Sequence, residues 1–352
     1  MSSVLEILQT WFETSIATSS LWAGAGLAAV LLLGLYVVWK CLRGIGLIFR
    51  ALTNMLAARR RKSQQGYGIS IVPFTGPKGR QQTKVLKAAL EKHLSQFAFG
   101  APYEVLLAPR LRAKGAKGLR AAATEWLERS ATDVVVWGHR QRGRQTPTLV
   151  EVLSCEGSLS PQEASHSVGT LPLQTKQNRD TVAVVNAYLV ARNLLPGLAN
   201  ATAFKAEKIA PVADTLLRCL NVPDALPERT QLTLEMDYCA MALHIGSLDH
   251  LERVVTLRRA RLQAATDQDT ALTAEVDIQS RVDLGRALLK ISAEKFDPLK
   301  VREAVDQLKI AIEHLKTNPV LQLAGQTSAA VQQGQALLAN RKRFSVTGGA
   351  NL

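Results

Sequence analysis

Residues Leu21 to Trp39 read LWAGAGLAAVLLLGLYVVW, nineteen positions without a charge. At about 1.5 Å per residue, a helix of this length crosses a hydrocarbon core of roughly 30 Å. The length therefore predicts a transmembrane helix over 21–39, with Trp22, Tyr36 and Trp39 at headgroup level. The flanks orient it. Residues 1–20 carry Glu6 and Glu13 and no Lys or Arg, whereas Lys40, Arg43, Arg50, Arg59, Arg60, Arg61 and Lys62 follow with no acidic residue among them. Cytoplasmic flanks hold the excess of Lys and Arg, so the amino terminus is expected outside and residues 40–352 inside. A cleaved signal peptide would need a basic start and a shorter apolar core. Gly24 with Ala28, and Ala25 with Ala29, fall four apart, a spacing that lets two such helices approach and self-associate. Residues 44–58 continue the apolar character as an interfacial helix or an extension of the first.

The formal charge of +14 is unevenly placed. All of it falls within the first 144 residues, and the remaining 208 carry 22 charges of each sign. Basic residues beside a membrane are attracted to anionic lipid. Nucleic acid is the competing partner, but stacking aromatics are sparse there and no DNA- or RNA-binding motif is present. The cysteines Cys41, Cys155, Cys219 and Cys239 are scattered without a C-x-x-C pair, as suits a reducing compartment. Cys41 at the membrane boundary is read as a plain thiol in preference to a palmitoylation site.

Beyond a polar linker (RRRKSQQG, residues 59–66), strand and helix signals alternate. Tyr67–Phe74, Tyr103–Ala108, Asp133–Gly138 and Thr148–Leu153 read as strands, with an edge strand over Thr170–Leu173. Gln82–Phe97 and Gly118–Ser130 read as amphipathic helices. This order predicts a small α/β sandwich over 67–175. From Asp180 onward the period is helical throughout: Val182–Leu195, Ala203–Leu220, Glu228–Ile245, Leu248–Ala265, Ala271–Ile291, Leu299–Leu315 and Pro319–Asn340. These predict a helical array over 180–340 and a disordered tail over 341–352. The expected fold class is thus α+β: an extracytoplasmic segment (1–20), a transmembrane helix (21–39), a basic juxtamembrane linker (40–66), the sandwich and the array.

The segment Arg281–Leu315 resembles a tetratricopeptide repeat (TPR). Leu284-Gly285, Ala287-Leu288, Ala304-Val305 and Ala311 stand where that family places small contact residues, and the unit at 230–265 matches in part. The strand motifs Ile69-Ser-Ile-Val-Pro-Phe74 and Asp133-Val-Val-Val-Trp-Gly138 resemble the TolB amino-terminal-like fold of bacterial proteins. That resemblance implies contacts and supplies no catalytic residues. The resemblance implies a bacterial protein, and many proteins with that fold are periplasmic, whereas the apolar run and its basic flank here predict an inner-membrane protein with a cytoplasmic bulk.

Gly76, Lys78, Gly79 and Arg80 lie between a strand and a helix, where a phosphate can be held, but neither Walker nor G-x-G-x-x-G spacing is present. The basic stretch Arg110–Arg120 reads as a solvated face or a contact for lipid headgroups or an acidic partner. No histidine spacing suits a metal, and no G-x-S-x-G elbow occurs. The expectation is a scaffold or adaptor with no cofactor, metal or catalytic residue. Its array binds a protein, and its basic side binds anionic lipid. The alternatives are a nucleotide- or phosphate-sensing module using Gly76–Arg80, and an enzyme whose site assembles only in space.

Overall fold

The computed structural model describes residues 29–41, 66–111, 115–130, 132–140, 148–154, 165–171, 179–195, 201–223, 226–267, 274–317 and 321–347, with a few isolated positions besides. The chain divides into two compact units, Met1–Gln64 and Gln65–Leu352.

In the first unit a helix covers residues 29–41. Its large apolar side chains from Val30 to Trp39 each expose half or more of their surface. Here the expected fold class needs correcting. Among the described residues no helix is long and apolar enough to cross a membrane. Thirteen residues rise only about 20 Å. Residues 21–28, with Gly24, Ala25 and Ala28, lie outside the described residues, as does the apolar stretch 44–58.

The second unit is mostly helical around one small sheet. Strands β1 (Tyr67–Ile71), β2 (Tyr103–Leu107), β3 (Val134–Arg140), β4 (Thr148–Ser154) and β5 (Ser165–Leu171) lie in the order β2-β1-β3-β4-β5. The first three are parallel, with Ile69 opposite both Val105 and Val134. β4 and β5 add antiparallel pairs, Val134 opposite Ser154 and Thr148 opposite Leu171. The crossover helices are α1 (Gly79–His93) and α2 (Gly115–Ser130).

Helix α1 begins three residues before its apolar period does. Gly79 approaches the end of β1 so closely that a Cβ would lie 2.2 Å from the Phe74 carbonyl oxygen. Thr83 holds this corner: its Oγ1 accepts from Phe74 N at 2.9 Å and donates to Gly79 O at 3.0 Å. Strand alternation then sorts the two faces of the sheet. Ile69, Ile71, Val134 and Val136 pack with Leu86 and Leu90 of α1. Val72, Val135 and Trp137 pack on the other face with Ala123 and Leu127 of α2.

Among the described residues the helices that follow are α3 (Arg179–Leu194), α4 (Ala206–Leu220), α5 (Glu228–Ile245), α6 (Leu248–Asp267), α7 (Ala274–Glu294), α8 (Pro298–Thr317) and α9 (Leu321–Thr347). The expectation of a sandwich followed by a separate array is also corrected. Val185 and Tyr188 of α3 share one core with Ile69 and Val136, and that core continues through Leu243, Leu288 and Val331. The reason is coverage: α1 alone does not cover the face of five strands, and α3 shares that face with it. Helix α9 runs to Thr347, into the segment expected to be a disordered tail.

Candidate functional site

The helical array carries its chemistry in polar ties between neighbouring helices. On α3, Tyr188 Oη donates to Asp237 Oδ2 of α5 at 2.9 Å, and Arg192 Nε approaches the same oxygen to 2.7 Å. Between α5 and α6, Arg261 Nη2 donates to both oxygens of Glu235 at 2.8 Å. Between α6 and α7, Arg258 donates to Asp283 Oδ2 from Nη2 at 2.7 Å and Nε at 3.1 Å, while Gln279 supplies Asp283 Oδ1 at 2.7 Å. Arg259 joins α6 to α8 through both oxygens of Glu303. Asp277 and Arg281 of α7 reach His314 and Gln307 of α8 at 3.0 and 2.8 Å.

Most of these groups are withdrawn from water. Arg258 and Asp283 have side chains 0% and 2% exposed, and Glu235 and Asp237 are buried. A buried charge is tolerated only when paired and hydrogen-bonded, and each of these is. Burial raises the Asp237 carboxyl above its ordinary range, against the opposing pull of Arg192 and Tyr188. Burial and then Asp237 push the Tyr188 hydroxyl well up. Burial works against the charge of Arg258, but Asp283 more than restores it, so the guanidinium is held firmly protonated. Burial also pushes the Cys219 and Cys239 thiols up to about 11 and about 12, away from nucleophilic thiolates.

Leu284, Ala287 and Leu288 of α7 and Ala304 and Ala311 of α8 are all buried. Gly285 sits where a Cβ would lie 2.5 Å from Leu308 Cγ and 3.1 Å from Ala304 O, so the α7–α8 approach requires glycine there. The turn at Gly76–Arg80 leaves Gly76, Lys78 and Arg80 exposed and Gly79 buried, with Lys78 at φ 57° and no side-chain cap on α1. Lys40 is exposed, with its ammonium 5.5 Å from the Tyr36 ring centre. Arg43, Arg50, Arg59, Arg60, Arg61 and Lys62 lie outside the described residues, as does Cys155. The histidines serve separate partners: His244 meets the Phe204 carbonyl at 2.7 Å, and His250 meets Tyr238 at 3.1 Å. Among the described residues no group of three or more His, Cys, Asp or Glu side chains could hold a metal.

Sequence reasoning passed over the charged ties. A signal for them was present: Arg258 falls seven after Leu251 and four after Val254, on the buried stripe of α6, and Asp283 falls four before Ala287 on that of α7. A charge placed on an apolar stripe implies a buried partner.

No protein-family model matches the chain, and neither a curated protein nor a solved structure is significantly similar to it.

Proposed function

We propose that this chain is a scaffold or adaptor at the cytoplasmic face of a bacterial inner membrane. Its helical array takes a protein partner, and its basic side faces anionic lipid. The observation that carries the reading is the set of charged ties that link helices from α3 to α8, with Asp237, Glu235, Arg258 and Asp283 buried in them and so committed to structure. Stacked helix pairs of this kind present extended surfaces to a peptide or helix. We read α5–α8 as degenerate TPR-like repeats and the sheet with α1 and α2 as a TolB amino-terminal-like unit. The exposed apolar helix over 29–41 supports attachment to a bilayer, since such side chains are poorly accommodated in water.

Proximity labelling from the full-length chain in cells tests the partner. Met236, Leu248, Leu299 and Ile310 are apolar residues exposed on the array. A protein recovered with the native chain and lost when Met236, Leu248 and Leu299 are changed to Ser supports an adaptor. Recovery unaffected by those changes and by charge reversals elsewhere on the array would count against it.

A further inference from the structure

We infer that the carboxyl edge of strands β2, β1 and β3 is a docking surface for an anionic membrane leaflet. The inference rests on the membrane attachment proposed above and adds which face of the second unit meets the lipid. The topology brings three chain segments to this edge. The turn after β1 leads into α1, the loop after β2 leads into α2, and β3 ends alongside, where Thr75 N donates to Gly138 O at 3.0 Å and Ala108 N to Ile71 O at 2.9 Å. These segments place Lys78, Arg80, Arg110, Lys117 and Arg120 at the one edge, all exposed. None of the five forms an ion pair among the described residues.

The acidic residues of the same elements lie toward the opposite edge. Glu91 is in the last turn of α1, Glu125 and Glu128 are in the second half of α2, Glu104 is the second residue of β2, and Asp133 precedes β3. The cations at that amino edge are compensated: Lys87 pairs with Glu91 at 3.0 Å, Lys92 with Asp180 at 2.9 Å, and Arg129 with Glu125. Charge is therefore segregated across the sheet, uncompensated and positive at one edge and paired at the other. A surface of one sign attracts an extended surface of the other.

A leaflet fits this edge better than a nucleic acid does. Phe74 and Trp137, the aromatic residues nearest the edge, are each 4% exposed and packed in the core, so no stacking platform faces outward. The chain that carries this edge also carries the exposed apolar helix over 29–41, proposed above to attach it to a bilayer. Each cation brought near an anionic leaflet multiplies binding about five-fold, so five exposed cations suffice to orient the unit.

The test uses the full-length chain bound to vesicles of phosphatidylcholine alone or mixed with phosphatidylglycerol, read by hydrogen exchange over 76–84 and 108–120. We expect protection of both segments on the mixed vesicles only, relieved by salt. Replacing Lys78, Arg80, Lys117 and Arg120 by Glu abolishes it, while Lys87→Glu leaves it intact; circular dichroism confirms that each variant keeps its helices. A chain that binds both vesicle types with no lipid-dependent protection at this edge overturns the inference alone. A chain that binds neither overturns the membrane attachment, and the inference with it. Stronger protection by a DNA or RNA duplex than by anionic vesicles also overturns it, in favour of nucleic acid.

Discussion

Arg258 of α6 and Asp283 of α7 meet at 2.7 Å with side chains 0% and 2% exposed, a full ion pair inside the helical array. The contact ties α6 to α7 within the array. Its direction and geometry set the first expectation. Removing one partner strands a buried charge, so Arg258→Met costs about 3–5 kcal/mol. Arg258→Met with Asp283→Leu removes both charges and recovers most of the loss. Urea denaturation of the full chain measures both, and an additive double loss would contradict the pairing.

Gly285 governs how closely α7 and α8 approach. A Cβ there would lie 2.5 Å from Leu308 Cγ and 2.9 Å from its Cδ2. Gly285→Ala overpacks this contact at a cost of about 1–3 kcal/mol. Combined with Leu308→Ala, the loss falls below the sum of the two single losses, because the clashing atoms are gone. A thermal-melt double-mutant cycle reads this, and strict additivity would place the strain elsewhere.

His93 closes α1 and is 7% exposed. Burial and the charge of Lys92 lower its affinity for a proton below the ordinary 6.5, against an opposing pull from Asp180. The unfolded chain therefore binds more protons than the folded one just below 6.5. The stability contributed by His93 is complete above 6.5 and is lost as pH falls from there through the lower folded-state value. Changing His93 to Gln should flatten this part of the stability-versus-pH curve, as measured by urea midpoints on either side of 6.5. An unchanged slope would assign the dependence to other groups.

Cysteine reactivity should divide by burial. Cys41 is exposed, whereas Cys219 and Cys239 are buried with thiols pushed up to about 11 and about 12. Alkylation near neutral pH, mapped by mass spectrometry in the folded chain, is expected at Cys41 and absent at the other two until denaturant is added. Labelling of Cys239 at the rate of Cys41 would mean that the α5–α6–α7 core opens readily.

Local pattern made most individual elements legible. Helix α5 begins and ends as its period indicates, at Glu228 and Ile245, and Tyr67 and Tyr103 open β1 and β2 as expected. Local signals reached less far where a close approach sets the boundary, as at Gly79, whose contact with Phe74 exists only after the chain has turned. The strand β5 was legible only at its end, because residues 165–169 carry little apolar alternation and are held by pairing with β4.

By itself the sequence determined the apolar segment near the amino terminus, the basic balance of the first 144 residues, and the change from alternating strands and helices to helices alone. These follow from composition and period, which are local properties of the chain. Tertiary structure decided that α3 belongs to the core of the sheet, that Arg258 finds Asp283, and that cations at the starts of α1 and α2 and in the segments before them share one edge while the acidic residues of the same elements lie toward the other. These depend on which segments become neighbours in space, and helix and strand periods carry no record of that.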